Sequence, residues 1–303
     1  MPALTDLHLH TVFSDGLLHD ITSLVMNHHT ISVTDHNSIR FFKNNPISCN
    51  GTRIIIGCEV TIDRFPDILV YFPNMTCYSS SLENELAGIR LAEATIIKAC
   101  YLKLGYTNWE YDISRAFPQK QAVKDARTRD LAAIIHLYRY CLEYDDGNFE
   151  TIDLREARKI RWIFAEENGF PFPENTAFQI AKKYNGEAFL AHPIRTAIKK
   201  ASFRRSGKFD LSIELKLLLE RFLFYGGSGI EWEFFTAEQT ERYELSAYVL
   251  DSMREIILDF AKQNQINLSI GTDTHSLENF DEGNQWLCTQ IPKIYSFLPT
   301  WSK

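Results

Sequence analysis

The residues of this chain best suited to chemistry are histidines and carboxylates, and they recur in short patterns. The first reads Asp6-Leu-His8-Leu-His10. In an extended strand alternate side chains share a face, so His8 and His10 point the same way and offer two imidazole nitrogens to one ion. Ser14-Asp15-Gly16 follows in the next loop, then Thr34-Asp35-His36-Asn37, Gly57-Cys58-Glu59, Ala191-His192-Pro193 and Gly271-Thr272-Asp273-Thr274-His275. Taken singly, each has a plain structural reading. An H-x-H pair arises by chance, Glu59 or Asp273 caps a helix or lies on the surface, and His192 ends a strand before a proline. Taken together, each stands at the same end of a strand-like run and supplies a side chain able to hold a metal. The set reads as a polynuclear metal site.

The runs that must position these residues are Leu4–His10, Ile31–His36, Ile54–Glu59, Ile68–Phe72, Ala188–His192, Gly229–Glu233 and Leu268–Asp273. Helical patterns lie between several of them. Thr236-Ala-Glu-Gln239 has capping-box spacing and opens an amphipathic stretch to about Gln263. Strands alternating with helices predict parallel pairing, and in a closed parallel barrel the strand C-termini share the face on which active sites form. From about Leu82 to Asn175 the alternation stops. Ser80-x-x-Glu83 heads a helical run carrying Leu82, Leu86, Ile89, Ile96, Cys100 and Leu104, which stops at Gly105. Further helices are predicted over Arg129–Leu142 and from Asp153, with Glu156 three residues on. The expected organisation is a barrel from 1–81 and 176–303, with a helical insertion from 82–175 over its mouth.

Composition agrees with this layout. The chain has 303 residues, 45% of them hydrophobic, and 32 Lys+Arg against 39 Asp+Glu give a formal charge of −7. An acidic globular chain is a poor wrapper of long duplex nucleic acid. No apolar run reaches the roughly 18 residues that a membrane helix needs, and the start, MPALTDLHLH, lacks a basic segment followed by an apolar one, so a cytoplasmic protein without membrane partners is expected. The six cysteines form no C-x-x-C pair and read as reduced thiols, mostly in the core.

The motifs resemble those of the PHP (polymerase and histidinol phosphatase) superfamily of metal-dependent phosphoesterases. D-L-H-x-H-T-x-x-S-D-G, T-D-H-N, G-x-E, A-H-P and G-x-D-x-H stand in that superfamily's order, over roughly residues 4–73 and 186–276. The resemblance implies an α/β fold, a distorted (β/α)7 barrel with a helical insertion domain. The branch most like this chain is that of stand-alone nucleotide phosphatases and exoribonuclease-like proteins, which also carry a helical insertion between the glutamate strand and the A-H-P strand.

Position by position, the resemblance implies a first metal held by His8, His10, Glu59 and Asp273, with Glu59 bridging to a second that His192 also binds. A third takes Asp15, His36 and His275. Where the superfamily commonly opens the next strand with a histidine, this chain has Asp67-Ile-Leu. Asp67 can still ligate, and its oxygen makes the second site harder, favouring Mn²⁺ or Fe²⁺ over Zn²⁺ on ligand softness. Two or three divalent ions are therefore expected, with Zn²⁺ as the alternative. The implied reaction is hydrolysis of phosphate monoesters by a metal-bound hydroxide. The expected substrates are nucleotides or small phosphorylated metabolites, including 3′,5′-bisphosphate nucleotides and short oligoribonucleotide ends. Asp273, His192 and His275 are the candidates for handling protons.

Arg195, after Ala191-His192-Pro193, stands where related enzymes carry an arginine, and a guanidinium fork suits phosphate. Thr128-Arg129 resembles the T-R element of the nucleotide-cleaving branch, with Asp130-Leu131 in place of Gly-His, and makes Arg129 a second candidate. Tyr106, Trp109 and Tyr111 either stack on a base or pack helices together. His19, His28, His29 and His136 lie outside the motifs and read as surface or core. Two other functions fit the same residues: a histidinol-phosphate-type phosphatase, and a non-catalytic metal-bound sensor of a phosphorylated ligand. The acidic cluster of Asp15, Glu59 and Asp273 speaks against the sensor.

Overall fold

A computed structural model of the chain describes residues 4–11, 13–14, 16, 18, 21, 28–45, 47–49, 51–62, 66–103, 172–203, 210–275 and 280–303. One sheet runs through β1 (Leu4–Leu9), β2 (His28–Val33), β4 (Thr52–Val60), β5 (Ile68–Phe72), β6 (Glu187–Leu190), β7 (Gly229–Glu233) and β8 (Asn267–Gly271), while the short β3 (Ser48–Cys49) pairs with β4. Each expected run is a strand. The sheet curls until its ends meet: Leu9 bridges Thr274 in parallel, and the His10 N–H donates to the Thr274 carbonyl at 3.0 Å. Asp6, fully buried, holds the seam. Its carboxylate accepts from the Thr272 N–H (3.0 Å), the Thr272 hydroxyl (2.6 Å) and the His8 N–H (3.2 Å). The fold is thus a nearly closed, distorted α/β barrel.

The direction of β5 departs from the expected parallel pairing, because β5 is antiparallel to both β4 and β6. The physical reason lies in the connection. A parallel crossover takes about a dozen residues or more, and only residues 61–67 join β4 to β5. The reversal has a consequence for the mouth: the N-terminal end of β5, rather than its C-terminal end, shares a rim with the C-termini of the parallel strands. Asp67 stands at that end, its carbonyl accepting from the Ala191 N–H at 3.0 Å.

Alternation along the strands splits the interior into two layers. Ile54, Ile56, Cys58, Ile68, Val70, Leu190, Ile230, Leu268 and Ile270 face outward into the main core shared with the helices. Ile55, Leu69, Tyr71, Phe189 and Ala191 face inward and form, with Leu7, an apolar cluster against which Trp301 packs. Trp301 donates its indole N–H to Glu187 at 2.9 Å, so the last residues of the chain close this floor. Above the floor the inner rows turn polar, at Glu59 on β4 and at Glu231 and Glu233 on β7, all 1% exposed or less. Gly271 makes room at the join: a Cβ there would lie 2.3 Å from the His8 Cβ. Between Asp6 and Leu9, β1 carries one residue more than the facing Ile31–Val33. Such an irregularity re-aims side chains, and here both Leu7 and His8 reach the interior.

The helices are α1 (Ser80–Lys103), α2 (Thr176–Lys183), α3 (Pro193–Phe203), α4 (Leu211–Phe224), α5 (Ala237–Arg242), α6 (Ala247–Asn264) and α7 (Phe280–Ile294). Of the expected insertion, α1 is described, with Leu82, Leu86 and Ile89 buried as its spacing predicts. The helices expected over 129–142 and from 153 lie outside the described residues. Glu83 does not return to cap its own helix. It accepts instead from the Ile39 N–H at 2.8 Å and from the Arg90 guanidinium, which also donates to the Asn37 carbonyl. The capping box at Thr236 and Gln239 forms, but the single stretch expected after it is two helices, broken where Glu244 takes a φ of +52° and Ser246 caps α6. Of the four cysteines with described side chains, Cys58 is buried and Cys77 and Cys288 are exposed, so the thiols are less concentrated in the core than expected. No described helix is long and apolar enough to cross a membrane.

Candidate metal centre

Above the apolar floor, side chains from five strand ends converge. His8 and His10 come from the end of β1, Glu59 from β4, and Asp273 from just past β8, where it holds a left-handed φ of +53°. Five of the separations among four ligand atoms of these residues are nearly equal. The His8 Nε2 is 3.0 Å from the His10 Nε2, 3.3 Å from Glu59 Oε2 and 3.4 Å from Asp273 Oδ1. The His10 Nε2 is 3.2 Å from both of those oxygens. In each of the two triangles that share the His8–His10 edge, one closed by Glu59 Oε2 and one by Asp273 Oδ1, a single point lies about 2.0 Å from all three corners, the length of a bond from a divalent ion such as Zn²⁺ to imidazole nitrogen or carboxylate oxygen. Two imidazoles and two carboxylates form a donor set that such an ion accepts.

Two further groups adjoin the first. The His192 Nε2 lies 3.0 Å from Glu59 Oε1, so the two oxygens of Glu59 face different sets of ligand atoms. His8, Glu59 and His192 form one group of potential ligand atoms lying within 4.8 Å of one another, and His10, His36 and His275 form another. In the second group the His10 ring stacks between His36 and His275, with centroids 4.6 and 4.4 Å apart. The sequence expectation placed Asp15 with His36 and His275; Asp15 lies outside the described residues, and His10 is the neighbour seen. Asp67 stands at the same rim but belongs to none of these groups among the described residues.

The imidazoles are oriented from behind. The His8 Nδ1 sits 2.6 Å from Glu231 Oε1, and the His275 Nδ1 2.7 Å from the Asp273 carbonyl. The His10 Nδ1 lies 3.2 Å from Ser14 Oγ, which donates onward to Asp35 Oδ1 at 2.8 Å. A carboxylate, a carbonyl and a hydroxyl already committed to Asp35 each accept the Nδ1 proton, leaving the Nε2 lone pairs of these three rings turned to the centre. Glu231 was not singled out in the sequence, and Ser14 and Asp35 stand inside two of its motifs without a role assigned to them. A signal was present, since Glu231 and Glu233 sit at alternate positions of a predicted strand and therefore share its inner face.

Electrostatics follow from crowding charged groups out of water. Burial by itself raises the carboxyls of Glu59, Glu231 and Asp273 and lowers the imidazoles. Mutual attraction overrides it. His36, His192 and His8 hold Glu59 well below the usual carboxylate range, and His8 and His192 do the same for Asp273 and Glu231. In turn Glu231, Asp273 and Glu59 hold His8 well above the usual imidazole range. His192, lowered by burial and by Arg195, is nevertheless raised by Asp273, Glu231 and Glu59 to about 9. Without a cation, protons fill the role that one would play.

Arg195 is part of this cluster. Its side chain is 8% exposed, its Nη1 donates to Asp273 Oδ2 at 2.9 Å, and its Nε donates to Glu233. The guanidinium thus holds two carboxylates at the edge of the centre. Arg129, Tyr106, Trp109, Tyr111, His19 and His136 lie outside the described residues. His28 is buried against Phe280, and His29 is exposed.

Fold and site together define a distorted α/β barrel with a histidine- and carboxylate-rich mouth. A solved amidohydrolase from Chromobacterium violaceum, determined with bound sulfate and no metal, shares this fold: 18% identity over 91% of this chain and 89% of that one, with a TM-score of 0.56. Neither a protein-family model nor a curated protein matches the chain.

Proposed function

We propose that this chain is a metal-dependent phosphoesterase that releases phosphate from nucleotides or small phosphorylated metabolites. The observation that carries the metal is the close cage of His8, His10, Glu59 and Asp273, in which the two imidazole Nε2 atoms lie 3.0 Å apart and each lies 3.2–3.4 Å from both carboxylates. The order of motifs, similar to that of the PHP superfamily, supports phosphate esters as the substrate class. The neighbouring amidohydrolase supports hydrolysis in general, and its bound sulfate is a tetrahedral oxyanion of phosphate's shape. The first ion would be held by the cage and the second by Glu59 and His192, with Asp67 at the same rim. The third would be held by Asp15, His36 and His275. Mn²⁺ or Fe²⁺ is the favoured occupant.

Divalent ions held this way acidify water and neutralise phosphoryl oxygens. The chain's own residues do the rest. Asp273 turns one oxygen to the cage and the other to Arg195, which keeps its carboxylate ionised and fixed, ready to take a proton from attacking water. His192 and His275, with side chains 13 and 36% exposed against 0% for His8 and His10, line the side from which a phosphoryl group enters. Arg195 and Arg129 are the proposed cationic partners of the phosphate.

The test is a substrate panel with metal-stripped protein reloaded with Mn²⁺, covering nucleoside monophosphates, 3′,5′-bisphosphates, short oligoribonucleotides, histidinol phosphate and a set of simple amides. Mn²⁺-dependent phosphate release from a nucleotide or small phosphate is the expected result. Amide hydrolysis with no phosphate release would overturn the assignment in favour of the neighbour's class of reaction.

A further inference from the structure

We infer that Glu231 is the positioning residue of the metal centre, aligning His8 and His192 so that their Nε2 atoms face Glu59 from two sides. The inference builds on the metal-centre reading above and assigns a role to a residue outside every group of potential ligands.

Three contacts carry it. Glu231 Oε1 is 2.6 Å from the His8 Nδ1, Oε2 accepts the backbone N–H of His192 at 2.7 Å, and Oε2 lies 3.2 Å from the His192 Nδ1, which the Arg195 guanidinium also contacts. One carboxylate, 1% exposed, therefore touches a ligand on β1 and a ligand after β6. The two rings stack at a centroid distance of 4.8 Å, with an interplanar angle of 22°. Their Nε2 atoms meet different oxygens of Glu59, at 3.3 Å for His8 and 3.0 Å for His192.

His192 needs such a hold. It has a φ of +44°, a left-handed conformation costly for a residue with a Cβ, and the surroundings must over-determine it. Glu231 fixes its N–H from below. Two residues along β7, Glu233 Oε2 accepts from the N–H groups of Ile194 (2.9 Å) and Arg195 (3.2 Å), fixing the helical turn that follows. β7 thus contributes no member to the ligand groups found, yet its inner row anchors the segment that presents His192. Carboxylates placed behind metal-bound imidazoles set ring orientation and tautomer, and their loss typically weakens metal affinity by about 10- to 100-fold.

The test compares wild type, Glu231→Gln and Glu231→Ala, each stripped of metal, checked for folding by circular dichroism and titrated with Mn²⁺ alone and with Co²⁺ alone. Glutamine keeps one acceptor oxygen and the volume but sets an NH₂ in place of the other oxygen, so one of the two holds is lost. The expected result is about a 10-fold weaker Mn²⁺ Kd for Glu231→Gln and about 100-fold for Glu231→Ala. The visible absorption bands of bound Co²⁺ should shift in the glutamine variant. A purely structural role would lower the melting temperature while leaving the Kd and the Co²⁺ spectrum of the folded protein unchanged, and that result overturns the inference. If wild type takes up neither ion, the metal centre and this inference fall together. If wild type binds metal, the glutamine variant loses affinity and no substrate yields phosphate, only the phosphoesterase reading falls.

Discussion

The floor and the mouth of the barrel are built from the same inner rows of the same strands, yet they hold together by opposite means. On β4 the inner row climbs from Ile55 through Gly57 to Glu59; on β6 it climbs from Phe189 to Ala191, just below His192. The floor is dry apolar packing closed by Trp301. The mouth crowds imidazoles and carboxylates to 3.0–3.4 Å. The floor needs nothing beyond the chain, whereas the mouth is complete only with cations or the protons that replace them. This contrast predicts that damage to each layer separates cleanly into stability or metal binding.

The largest expected effect is at the mouth. Replacing His8 and His10 together by alanine removes half of the four-atom cage, and metal-dependent turnover should fall by more than the ~100-fold that loss of an outer partner costs. Activity against the best substrate of the panel measures it. Turnover that survives would remove these residues from the centre. The matching change in the floor is Phe189→Ala, which should cost about 3–5 kcal/mol by denaturant unfolding while leaving the Mn²⁺ Kd of the folded protein unaltered. Trp301→Ala should be milder, roughly 1.5–3 kcal/mol, because that ring is only partly buried. Gly271→Ala crosses the boundary. Its Cβ would lie 2.3 Å from the His8 Cβ, so this small change far from solvent should weaken Mn²⁺ binding along with stability.

The smallest effect is on pH dependence. In the metal-free protein His8 is held well above the usual imidazole range and His192 at about 9, so their protonated forms stabilise the fold. That contribution is full below the ordinary imidazole value of 6.5 and fades as pH rises towards about 9. Glu59, Glu231 and Asp273 are held low, so their contribution is present above the ordinary carboxylate range and fades in acid. Metal must displace the histidine protons. The rise in melting temperature on adding Mn²⁺ should therefore grow from pH 6 towards pH 9, with protons released on binding in calorimetry. A metal-induced shift that is flat with pH would contradict this.

Much of the mouth was legible in the sequence because its ligands stand at strand ends, where composition and alternation coincide. His8, His10, Glu59, His192 and Asp273 lie beside one another at those ends. The direction of β5 was not legible from Ile68–Phe72 itself, since alternation is the same read either way; only the short 61–67 link betrays it. The roles of Glu231, Ser14 and Asp35 were missed because an outer partner has no spacing of its own and is defined by which ring it touches across the barrel. Trp301 was missed for the same reason. Nothing local marks a terminal tryptophan as the plug of a floor formed by distant strands.

The most direct test is a crystal of the protein grown with Mn²⁺ and measured at a wavelength where manganese scatters anomalously. The expected result is an anomalous peak inside the cage, roughly 2.0–2.2 Å from the His8 and His10 Nε2 atoms, Glu59 and Asp273. A cage that stays empty while Mn²⁺ is bound elsewhere, or not at all, would contradict the metal centre.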